Sequence, residues 1–381
     1  MSDKTGKMMV VGGGIAGLTA AWELSRQNIN VELVEKTCFL GGHSIGFTCK
    51  ATEKCQQCGA CSVEQMLANV VNEPLINVHL RTEVKEMEKS GGIKAVLTKT
   101  AFDPETPKVL TGFSRYNNPL YVETAKGDNG APEGVVSIED LGTEGEITVD
   151  AVVLATGYTP FDPGKKATYG YGKWENVITG MELEHMLREN STIVRPSDGK
   201  APEKIAFIQC VGSRDERLGN LWCSEVCCAY AMRMSANIKY NRPDTDISIF
   251  YIDIQNTGKE FPVFYEKIKT DVRFVRTIPV DIYPLENDRL RLRHMIEEDG
   301  IPVSEDYDLV VLSVGIMPGD DTQTIGDVFD TPVNEDGFLD SNAPQGIFIA
   351  GTAAGPGSIA DTIADSGKTA FEAMKYLGVI K

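Results

Sequence analysis

The stretch Lys7-Met8-Met9-Val10-Val11-Gly12-Gly13-Gly14-Ile15-Ala16-Gly17 decides how the chain begins to fold. Its first five residues predict a short apolar strand, and the glycines follow without a spacer. Leu18 to Gln27 then places Leu18, Ala21, Trp22 and Leu24 on one side, the spacing of a helix. Asn28-Ile29-Asn30 turns the chain, and Val31-Glu32-Leu33-Val34-Glu35 predicts a second strand that ends in an acid. Together these make a β-α-β unit around G-x-G-x-x-G. Gly12 makes the tight turn, Gly14 lets the backbone approach a pyrophosphate, and Gly17 lets the helix pack closely on the sheet. The helix N-terminus offers N–H groups to phosphates. Glu35 is placed to bind the ribose hydroxyls of an adenosine half. The candidate dinucleotide contacts in this unit are Gly12, Gly14, Ile15, Ala16, Gly17, Glu35, Lys36, Gly41 and Gly42. The competing reading is a glycine-rich turn with no ligand.

Outward from this unit, Ser62 to Asn72 predicts a helix, and residues 93–153 read as strands and turns with a polar hairpin or loop from Tyr116 to Gly134. Ala151-Val152-Val153-Leu154-Ala155-Thr156-Gly157 is a buried strand ending in a tight turn, and glycine and proline from Pro160 to Lys173 mark a crossover. A new α/β pattern begins at Lys204, with strands at Ile205 to Ile208 and Ile247 to Ile252 and a helix from Ser224 to Asn237. Leu309 to Gly315 and Gly346 to Gly351 repeat the strand-to-glycine ending, and a last helix runs from about Ile359 to Tyr376. No short-period repeat is visible.

Composition sets the outer limits. The chain has 381 residues, enough for two or three domains, with 42% apolar and 24% charged residues, as in soluble globular proteins. A net charge of −18 and a pI near 4.8 argue against a nucleic-acid partner, which is itself a polyanion. No stretch reaches the ~18 apolar residues of a membrane span. The polar start, MSDKTGK, has no apolar signal core, so the expected location is the cytoplasm, with membrane association only through partner subunits.

The nine cysteines fall in two groups, one from Cys38 to Cys61 and one from Cys210 to Cys228. Tight clusters without an export signal read as metal ligands or redox thiols rather than a disulfide framework. Cys210, Cys223, Cys227 and Cys228 form C-x12-C-x3-C-C. With the helix predicted from Ser224, Cys223 and Cys227 share one of its faces, Cys228 reaches the same site from the first turn, and Cys210 arrives from a strand end. A helix N-terminus suits a cluster of net negative charge. The alternatives are buried thiols or a vicinal Cys227–Cys228 disulfide. In the first group, Cys55, Cys58 and Cys61 form C-x2-C-x2-C, three ligands of a ferredoxin-type run, with Cys49 the nearer fourth candidate and Cys38 the second. Zinc, redox thiols and a structural role compete with an iron–sulfur cluster here. His43, His79, His185 and His294 are scattered and read as structural or solvated.

The motif alone does not separate FAD from NAD. Ala155-Thr156-Gly157 and the Gly346–Gly351 strand end resemble signatures of the thioredoxin-reductase-like flavoproteins, in which they line FAD. The resemblance adds Ala155, Thr156, Gly157, Gly351, Thr352 and Ile359 to the candidate contacts and implies an α/β fold: a Rossmann-type FAD domain (residues 1–160 and 322–381, including the cysteine segment 38–61) and a nested Rossmann-like domain (161–321). Where that family carries an Asp bonding the ribityl chain, Thr352 stands here. Where nicotinamide-dependent members open the nested domain with a second G-x-G-x-x-G, this chain has Cys210-Val211-Gly212-Ser213-Arg214, so NAD(P)H is not expected to bind there.

That segment, with Trp222-Cys223-Ser224-Glu225-Val226-Cys227-Cys228, Tyr251-Ile252-Asp253-Ile254 and Gly346 to Pro356, resembles HdrA, the flavin-carrying subunit of heterodisulfide reductase, and its relatives over nearly the whole chain. In plan the chain is closer to compact, HdrA-like members, as in sulfur-oxidation Hdr-like complexes and the quinone-interacting Qmo complex. The resemblance implies a [4Fe–4S] cluster on Cys210, Cys223, Cys227 and Cys228 near FAD, and a second cluster on Cys49, Cys55, Cys58 and Cys61. It implies an electron-transferring subunit that relays electrons between FAD and clusters in energy or sulfur metabolism, in a homo-oligomer or a hetero-complex. The partners implied are HdrB- and HdrC-like or Qmo-type iron–sulfur and quinone-interacting subunits. In bifurcating relatives a Lys follows the paired cysteines; Arg233 stands in that neighbourhood here. Two rival functions are a thiol–disulfide oxidoreductase that works through cysteine pairs and a non-catalytic flavin-binding scaffold.

Overall fold

The computed structural model describes residues 6–37, 39–89, 92–99, 108–113, 119–123, 144–190, 192–255, 261–295 and 300–380. The described α-helices are, in chain order, Ile15–Ser25 (α1), Ala60–Val71 (α2), Gly180–Asn190 (α3), Cys227–Asn241 (α4), Phe261–Ile268 (α5), Thr322–Phe329 (α6) and Ile359–Tyr376 (α7). The chain divides into two compact units: residues 1–45, 59–159 and 318–381 form the first, and residues 46–58 and 160–317 the second.

The first unit is built on a parallel sheet in the order Ile347–Ile349, Ala151–Leu154, Lys7–Val11, Asn30–Glu35, Ile76–Leu80. Lys7–Val11 is central and paired on both edges, so its residues from Met8 to Val11 are buried. Met8 and Val10 face a core with Leu18, Ala21 and Leu24 of α1 and Ala370 and Ala373 of α7, whereas Met9 and Val11 face a second core with Phe329 of α6. The run of small residues in α1 and α7 lets both helices lie close to the sheet. An antiparallel sheet of Thr82–Lys89, Ile93–Lys99 and Glu144–Val149 follows in the same unit. Lys108–Phe113 pairs with Pro119–Glu123 in a hairpin. The polar stretch expected as a hairpin or loop thus contains one strand, Pro119–Glu123, and its remainder, 116–118 and 124–134, lies outside the described residues.

The second unit repeats the architecture with a parallel sheet in the order Val177–Thr179, Leu309–Val314, Lys204–Val211, Asp246–Phe250, Arg273–Val275. It begins earlier in the chain than Lys204, because the three-residue strand Val177–Thr179 is too short to show periodicity. One face packs on α3 and α4, and the other carries an antiparallel sheet of Asp281–Pro284, Leu290–Met295 and Pro302–Tyr307. The fold is thus α/β, with the two Rossmann-type units expected from the sequence. Among the described residues no helix is long and apolar enough to cross a membrane.

Candidate functional site

In the first unit the glycines are placed by contacts that exclude any side chain. Gly12 holds φ of +106°, and a Cβ there would lie 2.2 Å from the Ala155 carbonyl oxygen. A Cβ on Gly17 would lie 1.8 Å from the Gly12 oxygen, so α1 seats directly on the turn. Gly14 differs: its Cβ position meets nothing closer than the Gly42 Cα at 4.0 Å, so the ground in front of the helix is open. Gly14 is the N-cap of α1 and supplies no side-chain cap, and the first turn holds no acid. Among the described residues the first turn of α1 thus has no side-chain cap and no acid of its own, and its N–H groups suit the oxygens of a pyrophosphate.

The other candidates gather around this turn. Gly41 N donates to Gly13 O at 2.7 Å, laying the Gly41-Gly42 turn against the first glycines. A Cβ on Gly351 would lie 2.7 Å from Ala16 Cβ, which brings the C-terminal signature to the start of α1. Glu35 is buried at the strand end, and its carboxylate accepts from Gly13 N (2.6 Å) and Thr37 N (2.7 Å). Both oxygens retain acceptor capacity for ribose hydroxyls. Lys36 pairs with Asp321 at 2.6 Å. Gly157 has open space at its Cβ position, and Ile359 opens α7 against Gly59. The residues fit a dinucleotide of the FAD class.

In the second unit the strand Lys204–Val211 ends in a kink. Cys210 and Arg214 have φ of +56° and +52°. A Cβ on Gly212 would overlap the Phe161 ring, at 2.0 Å from Cγ. The helix expected from Ser224 begins instead at Cys227, because Glu225 holds φ of +60° and cannot continue helical backbone. Cys223 therefore does not share a helix face with Cys227; it lies in the preceding loop, where its sulfur accepts from Glu225 N at 3.3 Å. The loop is pinned by Trp222 Nε1 donating to Ile316 O (2.9 Å) and Ile316 N donating to Ser224 Oγ (2.8 Å).

These constraints bring four thiols within electrostatic reach of one another. Cys210, Cys227 and Cys228 are buried, and Cys223 is half-buried. Burial foremost, with the neighbouring thiols adding to it, pushes Cys210 up to about 12 and raises Cys227 well above the ordinary thiol range; burial likewise raises Cys228. Four soft ligands, three of them in a dry recess, suit iron, which must displace their protons. Arg214 lies beside Cys210 and is held by a two-pronged pair to Asp253, at 2.5 and 3.0 Å. Its charge would offset that of a thiolate-bound cluster.

The first cysteine group has a different setting. Cys49, Cys55 and Cys61 are exposed, Cys58 is half-buried, and Cys38 lies outside the described residues. Cys61 is the second residue of α2, and Gln57 N donates to the Cys55 sulfur at 3.3 Å. The segment carrying the others is fastened from behind. Lys50 and Glu184 form an ion pair with only 3% and 0% of their side chains exposed, and Thr48 N donates to Glu184 at 2.9 Å. From α4, Arg233 Nε donates to Gln56 O (2.9 Å) and Asn237 to Ala51 O (3.1 Å). No three His, Cys, Asp or Glu side chains among the described residues stand close enough to hold a single metal ion. A cubane asks for a wider set, since each thiolate takes its own iron.

Sequence reasoning missed the residues whose partners are distant. Asp365 of α7 accepts from Gly351 N at 2.8 Å, so a carboxylate does meet the C-terminal glycine turn, although Thr352 follows that glycine in the chain. The Lys50–Glu184 and Arg214–Asp253 pairs also had no local signal. His43 bonds Tyr158 O at 3.0 Å, His79 pairs with Glu32 and His294 with Glu305, all within the packed structure.

Known proteins resemble the chain in both sequence and fold. A family model described as an NAD(P)-binding Rossmann-like domain matches residues 10–56. The chain is 31% identical to the HdrA protein of the H(2):CoB-CoM heterodisulfide,ferredoxin reductase of Methanothermobacter marburgensis, across 96% of this chain and 63% of that protein. It is 32% identical to one of the iron-sulfur HdrA proteins of the CoB--CoM heterodisulfide reductase of Methanopyrus kandleri, across 98% of this chain and 65% of that one. The chain thus spans just under two thirds of the length of these relatives. Among solved structures, the thioredoxin reductase of T. acidophilum superposes with a TM-score of 0.57 at 14% identity, covering 98% of both chains. The Lactococcus lactis thioredoxin reductase gives 0.55 at 15%, covering 98% of this chain and all of that one.

Proposed function

This chain is a homologue of the heterodisulfide reductase protein HdrA along nearly its whole length, and from that premise we propose that it is an FAD- and iron–sulfur-dependent oxidoreductase subunit that relays electrons between flavin and two [4Fe–4S] clusters. The observation that carries the reading is the convergence of Cys210, Cys223, Cys227 and Cys228 at the end of one strand and the start of α4. Flavin supplies the exchange between electron pairs and single electrons, and clusters carry single electrons. The chain's residues supply position and charge. Gly12, Gly14 and Gly17 with the α1 amides hold the pyrophosphate, and Glu35 the ribose. Ala155 to Gly157, Gly351 and Thr352 line the flavin half, and Asp365 fixes the Gly351 turn. The four cysteines of the second unit hold one cluster, with Arg214 against its negative charge; Cys49, Cys55, Cys58 and Cys61 hold the other. The protein works in the cytoplasm within a larger redox complex, beside iron–sulfur partners of the HdrB/HdrC or Qmo kind.

Anaerobically purified protein should contain one FAD and about eight irons per chain. About four irons would remove the Cys49–Cys61 cluster from the assignment, and none would sink the reading in favour of thiol–disulfide chemistry. NADH or NADPH should not bleach the flavin rapidly; fast, saturable bleaching would restore a nucleotide site to the second unit.

A further inference from the structure

We propose that Gln209, with Ser313 beside it, donates hydrogen bonds to the sulfur atoms of the cluster held by Cys210, Cys223, Cys227 and Cys228, and so raises that cluster's reduction potential. The proposal rests on the reading that these cysteines hold a cluster. It starts from the alternation of the strand Lys204–Val211. Ile205 and Phe207 pack in one core with Cys228, Ala231 and Met232 of α4, while Ala206 and Ile208 pack in the opposite core. Alternation then breaks. Ile208 pairs with Leu312 and Val211 with Val314, so Gln209 and Cys210 together stand opposite the single residue Ser313. This is a β-bulge, with its extra residue at the positive φ of Cys210. Val211 returns to the core that holds Ile208, which leaves both Gln209 and Cys210 on the α4 side. Leu309 and Val311 belong to the α4-side core, and the same alternation puts Ser313 there.

Gln209 and Ser313 are 1% and 2% exposed. Neither the Gln209 amide nitrogen and oxygen nor the Ser313 hydroxyl has a hydrogen-bond partner among the described residues. A buried polar group left without a partner is destabilising, and the two preceding residues on this face, Ile205 and Phe207, are apolar. The Gln209 NH2 and Ser313 OH groups call for an acceptor. The thiols stand where such an acceptor would be: Cys227 Sγ is 4.0 Å from the oxygen of Val314, the residue after Ser313, and meets the backbone of Cys210, the residue after Gln209. Cluster sulfurs carry negative charge that grows on reduction, so donors favour the reduced form.

The test is an EPR-monitored redox titration of anaerobically purified full chain, as wild type, Gln209→Leu, Gln209→Met and Ser313→Ala, with iron and FAD counted in each. Both Gln209 variants should keep their iron and FAD and lower the midpoint of one cluster by about tenfold in reduced-to-oxidised ratio, ~59 mV for one electron. Ser313→Ala should shift the same cluster in the same direction by less, and the other cluster should not move. Unchanged midpoints in both Gln209 variants, with wild-type iron in place, would overturn the proposal and leave the cluster assignment standing. Wild-type protein without iron at these cysteines would overturn both.

Discussion

The two units place a loop at the carboxyl end of a central parallel strand and then a helix, and they fill that loop in opposite ways. After Lys7–Val11 the chain removes side chains: Gly12 and Gly17 have no room for a Cβ, and Gly14 leaves open ground before α1. After Lys204–Val211 it adds them: Cys210, Cys223, Cys227 and Cys228 crowd the ground before α4. The same helix N-terminus serves both, because an anionic ligand is favoured there whether it is a pyrophosphate or a thiolate-bound cluster. A phosphate is gripped by backbone N–H groups, which need side chains out of the way; iron is gripped by sulfur, which needs side chains present. Topology fixes where a ligand sits in such a unit, and the loop composition fixes which ligand it is.

Reciprocal substitutions give the largest expected effect. Gly17→Ala drives a methyl into the Gly12 carbonyl, so FAD per chain should fall about tenfold or more while iron at the cysteines is kept. Cys227→Ser should do the reverse, removing or severely altering one cluster, since an alcohol is a poor substitute for thiolate on iron, with FAD retained and still photoreducible. Loss of both cofactors in either variant would break the contrast between the two loops.

A second contrast lies in how the cysteines are supported, and its effect should be smaller. Lys50 and Glu184 are shut away from solvent behind the Cys49–Cys58 segment. Lys50→Met leaves the buried carboxylate with no opposite charge, only the Thr48 N–H, and should cost roughly 3–5 kcal/mol in urea unfolding. Lys50→Met with Glu184→Leu should recover most of that loss, because two apolar side chains of similar size replace the pair. Iron at the exposed cysteines should become more labile, with FAD content unchanged. Equal stability of the single and double variants would show that the pair does not anchor the segment.

What was legible in the sequence follows this division. The glycine turn, Glu35 and both cysteine groups are local patterns, and the strand before and helix after each of them could be read from periodicity. The start of α4 could not: Ser224 to Cys228 carries no proline or glycine to mark the break, and the positive φ of Glu225 follows from the loop's tethers to Ile316 rather than from its own side chain. Asp365, Glu184 and Asp253 meet their partners across 14, 134 and 39 residues (365−351, 184−50, 253−214), beyond any window of local reading. Gln209 looked like one polar letter in an apolar strand, and only the bulge and the lack of partners give it a role.

The smallest expected effect is a pH dependence that both units should share. Each holds one glutamate with its carboxyl depressed to about 2. In the first unit, Glu32 is held down foremost by its hydrogen bond with His79, with Lys7 and Asn77 adding to it. In the second, Glu305 is held down foremost by Arg273, with His294 adding to it. Unfolding returns each to the ordinary carboxylate range. The native state therefore binds fewer protons than the unfolded chain between about pH 4.5 and 2, so this stabilisation is complete above that range and lost as pH falls through it. Allowing for solvent screening, each residue contributes roughly 1–2 kcal/mol. Urea midpoints should thus decline as pH is lowered from 5 to 3. Glu32→Gln and Glu305→Gln should each flatten part of that decline, and the two together should flatten more, because the residues lie in separate units with no shared partner. If only one variant flattens the slope, acid sensitivity belongs to one unit, and the two sheets differ in their supporting charges as well as in their loops.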